Sequence, residues 1–286
     1  MTVTTPGAGA SASPDAAAVY ALGSSAGESA RLQRQAEELW PEAAMLLGHI
    51  GLKPGQGAID LGCGPAGILE LLAAAVSPGG RVVGLDADPA HAAMAREHAA
   101  RRGLAGVEVI EADARRTGLA AGSFDLVHAR TLLVNIPEPA EVLAEMVRLA
   151  RPGGWVASQE PDAEHAVCYP ALPAWTRLRE LFQAGFGRTG ADLLIGRRMA
   201  ELYRQAGLRE VQVQAWARAY PAGHTRRTVL ADLVCSLRPM IVELGLADER
   251  ELTEVDQAVR AHLADPRTVM VPHLWFSVWG RKPTGR

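Results

Sequence analysis

The residues with the clearest chemical content form one stretch, Asp60-Leu61-Gly62-Cys63-Gly64-Pro65-Ala66-Gly67, which follows an apolar run and precedes a helical one. Glycines at such a strand-to-helix turn let the backbone fold tightly and let a ligand approach with no Cβ in the way. Gly62, Gly64 and Gly67 also have the GxGxxG spacing of a dinucleotide site. Asp60 argues against that ligand, because a carboxylate beside the loop repels a pyrophosphate and favours a cationic group. Asp86 closes the next apolar run, about 20 residues further on, where a carboxylate can accept hydrogen bonds from a ribose diol. Asp88 then caps the helix that starts at Pro89. Glu111-Ala112-Asp113-Ala114 ends a third run. Glu160, Asp162 and His165 follow a later run, and His224 and His273 stand at the ends of an insertion. These five are the candidates for a general base, needed only where the nucleophile is protonated, and a solvated loop position is the alternative for each.

This pattern resembles the first motif of the class I S-adenosylmethionine-dependent methyltransferases, acidic-x-Gly-x-Gly-x-Gly. Asp60, Gly62 and Gly64 match it, and Pro65 displaces the third glycine to Gly67. S-adenosylmethionine carries a sulfonium and an ammonium but no phosphate, so a carboxylate at Asp60 suits it. The resemblance implies that Asp86, with Ala87 beside it, holds the ribose. It implies further that Asp113, in preference to Glu111, accepts from the adenine amino group while the backbone N–H of Ala114 meets a ring nitrogen. Cys63 belongs to the cofactor loop, and Ala129 and Arg130 line the methionine part. Ser123-Phe124-Asp125-Leu126-Val127 resembles the family's fourth strand, with Asp125 in a structural role. His128 alternates with inward strand residues and reads as a packed histidine. The resemblance covers about Leu52 to Gln159. A looser group of small-molecule methyltransferases shares the start Tyr20-Ala21-Leu22-Gly23-Ser24-Ser25. By that similarity Tyr20 and Gln35 close over the cofactor's amino-acid end; the alternative is that both are surface helix residues. No Asp…Asp-Asn pattern resembling metal-dependent catechol methylation is present, and transfer without a metal is expected.

The elements that must position these groups follow from periodicity. Short apolar runs at 57–61, 81–86, 107–111, 124–129 and 154–159 alternate with helical stretches at 67–76, 89–102 and 139–150, the rhythm of a parallel sheet with crossover helices. It breaks after Glu160, resumes with a helix near 195–206 and a strand at 211–219, breaks again over 221–272, and ends in a strand at 274–279. Loops of such length hold structure of their own inside a compact domain, and 229–244 and 249–263 carry helical patterns. The expected fold is α/β: a Rossmann-like seven-stranded, mostly parallel sheet flanked by helices, its last strand antiparallel. A helical cap is gathered from 16–50, 161–194 and 221–272, around core segments 51–160, 195–220 and 273–286. Residues 1–15, rich in Ala, Ser, Thr, Gly and Pro, read as a flexible tail.

Composition bounds the rest. With 48% hydrophobic residues, 21% charged residues and a formal net charge of −3, there is ample material for a core and no basic field to hold nucleic acid or an anionic membrane. Cys63, Cys168 and Cys235 form no CxxC pair, which excludes a zinc knuckle and fits a reducing cytoplasm. No apolar run approaches the roughly 18 residues of a membrane span. The expectation is a cytoplasmic enzyme, monomer or homodimer, that methylates a small and hydrophobic molecule. Two other classes stay open: a protein that binds the cofactor without methylating, and an NAD(P)-dependent oxidoreductase.

Overall fold

Five runs assemble side by side: β1 (Gly57–Leu61), β2 (Arg81–Asp86), β3 (Val107–Glu111), β4 (Phe124–Arg130) and β5 (Ala150–Asp162). The central ones, β1 and β4, are buried along nearly their whole length because they are covered on both faces. The computed structural model describes residues 26–285; the proposed tail 1–15 and Tyr20 lie outside them. The sheet is completed by β7 (Arg209–Ala217) and β9 (Leu274–Arg281), in the order β3-β2-β1-β4-β5-β9-β7. β1 pairs in parallel with β2 and β4, while β9 runs antiparallel between β5 and β7. This is the mostly parallel, Rossmann-like sheet with an antiparallel final strand that the sequence implies.

Helices cover both faces. On one side α2 (Trp40–Ile50), α3 (Leu69–Val76) and α4 (Pro89–Arg101) bury Leu46, Leu69, Leu72 and Ala95 against β1 and β2. On the other, α5 (Pro139–Leu149) and α7 (Ile195–Gln205) bury Val142, Met146, Met199 and Tyr203 against β4, β5 and β9. α4 begins where it does because Pro89 fixes the first turn and Asp88 accepts from the N–H groups of Ala90 (2.8 Å) and His91 (3.2 Å).

The two interruptions of the rhythm fold together. α6 (Pro173–Gly187) packs on α8 (Val229–Ser236), α9 (Arg238–Glu243) and α10 (Glu249–Ala264). Trp175, Phe182 and Phe186 share one face of α6 and enter a hydrophobic cluster separate from those of the sheet. The continuous helix expected over 229–244 is two helices meeting at Leu237, because Pro239 in the first turn of α9 has no N–H to continue α8. A short antiparallel ladder, β6 (Val167–Tyr169) with β8 (Val269–Val271), ties the start of the first insertion to the end of the second. Strands of three residues are too short to show a period, so this pairing has no signal in the residue pattern. α1 (Ala26–Glu38) and α2 do not join the cap cluster; α2 packs on the sheet.

Candidate functional site

The carboxyl ends of β1 to β5 open into one cavity of about 640 Å3. Its floor is the glycine loop, held in place from below. Cys63 N–H donates to Leu85 O at 2.9 Å and Gly64 N–H to Asp86 Oδ2 at 2.7 Å, so loop and β2 move as one. Gly62, Gly64 and Gly67 take φ of +65°, +57° and +54°. At Gly67 an added Cβ would overlap the Asp60 carboxylate, whereas at Gly64 it would meet nothing within 4 Å. Gly67 is therefore needed by the protein's own packing, and Gly64 leaves an open cradle facing the cavity.

Several residues singled out by the sequence line this space: Gly62, Gly64, Asp86 and Ala87 on one side, Asp113 and Ala114 across from them, with Arg130 and Gln35. Asp86 is raised above the ordinary aspartate value by burial, against hydrogen bonds from the N–H groups of Asp88 and Gly64. Among the described residues its two oxygens accept those two bonds, with His91 Nδ1 3.9 Å away, and a carboxylate has about four acceptor sites, so capacity for a diol is left. Asp113 is gripped by Arg115 at 2.7 Å, which holds it below the usual range. Arg130 is buried, and burial lowers it to about 10. Its guanidinium reaches Leu39 O and Gly67 O at 3.5 Å, the limit of a hydrogen bond.

Other expected site residues lie elsewhere. Asp60 is buried beneath the loop, where Oδ2 accepts from Ile68 N–H at 3.1 Å and Oδ1 meets His128 Nδ1 at 2.7 Å. It braces the loop and does not line the cavity; the buried Cys63 and Ala129 do not line it either. Glu160 is fully buried, and its carboxylate accepts from the N–H groups of Leu132 (3.1 Å), Leu133 (3.0 Å) and Val134 (3.2 Å). Burial pushes it up to about 8 against the pull of those three donors. As the anchor of the turn after β4 it faces backbone, not ligand, which corrects its expected role as a base. His165 is corrected likewise: it lies outside the cavity with Asp162 and Glu164, and Arg197 bonds all three. One ligand atom of each lies within 4.8 Å of the others, and Arg197 is ion-paired with both carboxylates. His224 accepts from Arg226 N–H at 3.1 Å, packs at a tilt against Tyr220 and stays outside the cavity.

The cap supplies the opposite wall, with Phe182, Phe186, Val229 and Leu233. Between this wall and the sheet stand Arg226, His273 and Trp275. Burial, with Arg226 and Arg31 adding to it, pushes His273 down to about 3. Arg226 carried no sequence signal, since an Arg226-Arg227 pair in a polar loop reads as a solvated surface; only the packing of 225–228 under α1 brings it inside.

Residues 59–158 match the family model of a methyltransferase domain. Nocamycin O-methyltransferase of Saccharothrix syringae is 39% identical over 136 residues, covering 47% of this chain and 46% of that protein. The match thus spans about half the length of that relative, 46%. Demethylmenaquinone methyltransferase of Bacillus cytotoxicus is 28% identical over 202 residues, 66% of this chain and 84% of that protein. Among solved structures, Haemonchus contortus phosphoethanolamine N-methyltransferase 2 in complex with S-adenosyl-L-methionine superposes with a TM-score of 0.56 at 18% identity, covering 85% of this chain and 53% of that one; at this identity the likeness is one of fold. Among the described residues, no helix is long and apolar enough to cross a membrane. The matched segment provides the glycine loop and the ends of β2, β3 and β4 that line the cavity, and over this segment the chain is similar to class I S-adenosylmethionine-dependent methyltransferases, which supports S-adenosylmethionine as the cofactor.

Proposed function

We propose that the protein transfers a methyl group from S-adenosylmethionine to a small, largely hydrophobic acceptor held beneath the cap. The observation that carries this reading is the continuity of the cavity. One space is lined at one end by the loops of the methyltransferase domain and at the other by aromatic and aliphatic side chains of α6 and α8.

When bound, the cofactor supplies a methyl carbon already activated by its sulfonium. The chain's own residues then have to orient, exclude water and leave the nucleophile a clear line of approach. On this reading Asp86 uses its free acceptor sites for the ribose. Asp113, fixed by Arg115, and the Ala114 N–H face the adenine edge. Gly64 lets the amino-acid end lie against the backbone, and Arg130, weakly partnered beside the loop, pairs with its carboxylate. Gln35 ties the lid of this end together, accepting from Arg31 at 2.9 Å and from Arg226 at 3.1 Å. Phe182, Phe186, Val229 and Leu233 desolvate the acceptor.

Titration calorimetry with S-adenosylhomocysteine is the first test. Asp86→Ala is expected to lose about 1.5–3 kcal/mol of binding, the scale of hydrogen bonds to a charged group, with a cooperative melt that is lowered because the Gly64 and Asp88 N–H groups lose their acceptor. Labelled S-adenosylmethionine offered with a panel of hydroxyarenes, amines and enolisable acids tests the transfer. Cofactor binding with no transfer across the panel would move the protein to the class of non-methylating binders, and tight NAD binding without S-adenosylmethionine binding would overturn the reading altogether.

A further inference from the structure

Among the described residues four arginines reach the cavity, and they are not equivalent: Arg115 is spent on Asp113. Arg130 stands beside the glycine loop and feels Asp60. Arg31 enters from α1 and bonds Gln35. Arg226 comes from the cap side, 3% exposed, with its guanidinium 5.9 Å from the centre of the Trp275 ring. Trp275 is itself fixed, stacked on Trp216 at 5.3 Å and paired in β9 with Pro161 of β5.

Arg226 donates from Nη1 to Gln35 at 3.1 Å, and the Tyr220 side chain lies beside its guanidinium. Nε and Nη2 are buried with no hydrogen-bond partner among the described residues, although Glu38 forms an ion pair with Nε at 3.6 Å. His273 Nδ1 is a second buried polar atom with no partner, on a ring packed edge-on to Trp275 at 6.2 Å. Leaving two guanidinium donors and an imidazole nitrogen without hydrogen-bond partners in a buried place is costly, and both residues line the cavity next to the apolar wall of α6 and α8. Nothing acidic on the sheet side of the cavity is hydrogen-bonded to Arg226: Asp86 is tied to Gly64 and Asp88, and Asp113 to Arg115.

We propose that Arg226 and His273 form an anion subsite for the acceptor, so that the molecule methylated has an apolar, ring-sized body and carries an anionic oxygen of the carboxylate, phenolate or enolate type. This rests on the methyltransferase reading above. A fork of guanidinium donors recognises such an oxygen directionally, Trp275 holds the fork in plane, and Phe182, Phe186 and Val229 take the apolar body. The cofactor's own carboxylate is the rival occupant. Arg130, on the glycine-loop side, already furnishes that end with a desolvated charge, which leaves Arg226 to the second ligand.

The test uses the full-length protein saturated with S-adenosylhomocysteine, with 2-naphthoate as the anionic probe and 2-naphthamide as its neutral counterpart, read by calorimetry. Naphthoate is expected to bind at least about tenfold more tightly than naphthamide, the scale of one charge-assisted hydrogen bond. Arg226→Gln should remove that preference, with naphthoate affinity falling at least about tenfold, and S-adenosylhomocysteine affinity, which depends on Arg226 only through Gln35, should fall by less. If Arg226→Gln does not melt cooperatively, Arg226→Lys, which keeps the charge and loses the fork, replaces it with the same expected direction. Equal binding of the two probes, or binding of neither, overturns the subsite. A loss of S-adenosylhomocysteine affinity in Arg226→Gln with naphthoate unaffected assigns the arginine to the cofactor and also overturns it. Failure of the wild-type protein to bind S-adenosylhomocysteine at all is a different result, and it sinks the methyltransferase reading on which the subsite depends.

Discussion

His273 shares the cavity with Arg226 and Arg31, and burial together with those two charges holds it near 3, far below the ordinary 6.5. The unfolded chain takes up a proton on this imidazole below pH 6.5, and the folded chain does not until about pH 3. Stability is therefore lost as pH falls through that window, by about 1.4 kcal/mol per pH unit. Between pH 6.5 and pH 5 the wild-type protein is expected to lose about 2 kcal/mol more than His273→Gln in urea melts; parallel losses in the two proteins would show that the imidazole titrates freely. Asp60 and Glu160 make a related point about acids at strand ends. Both sit where a ligand-facing carboxylate is common, yet each is consumed by backbone N–H groups or a histidine of its own fold. A buried carboxylate needs such partners whatever its function, so position along a strand does not say which way it points.

The glycine loop shows how one element combines a folding requirement with a binding one. Gly67→Ala drives a methyl group into the Asp60 carboxylate and the Cys63 carbonyl at a positive φ. Gly64→Ala meets only the conformational penalty of a left-handed residue, roughly 1–2 kcal/mol. The expected outcome is that Gly64→Ala melts within about 2 kcal/mol of wild type but binds S-adenosylhomocysteine more weakly, because its Cβ enters the cradle. Gly67→Ala should lose both stability and binding. Circular dichroism melts paired with calorimetry separate the two, and equal effects on both properties in both variants would show that the loop is read only as a fold element.

At the scale of the whole molecule the cap and the sheet have separate hydrophobic clusters, and Leu193 is the residue packed against both. Ile241, fully buried in the cap cluster and in contact range of Gly185, lies outside the cavity lining. Ile241→Ala removes packing worth about 2–5 kcal/mol. The loss should appear as faster amide exchange in α6, α8 and α10, with β1 and β4 unchanged. Equal acceleration in β1 and β4 would mean that cap and sheet unfold as one unit. On the methyltransferase reading, a cap that opens below the global unfolding energy is what admits the acceptor.

The sheet was legible from sequence because each of its strands is an apolar run long enough to show its period, and the glycine loop was legible because φ > 0 and close approach demand one residue type. β1, β2 and β3 fall at the positions that pattern implies, and Asp88 caps α4 because its side chain needs only the two N–H groups nearest in sequence. The cap was legible only as helices without a partner. Its closure by β6 and β8, the break at Pro239 and the burial of Arg226 each depend on a contact between segments far apart in the chain, for which local periodicity carries no signal. The same holds for Glu160 and His165, whose residue types suited a base until tertiary packing gave their polar atoms to the backbone and to Arg197. Sequence fixed the residue types available at the ends of the strands; only the three-dimensional arrangement decided which of them face the cavity, because hydrogen-bond partners and desolvation are set by neighbours in space and not along the chain.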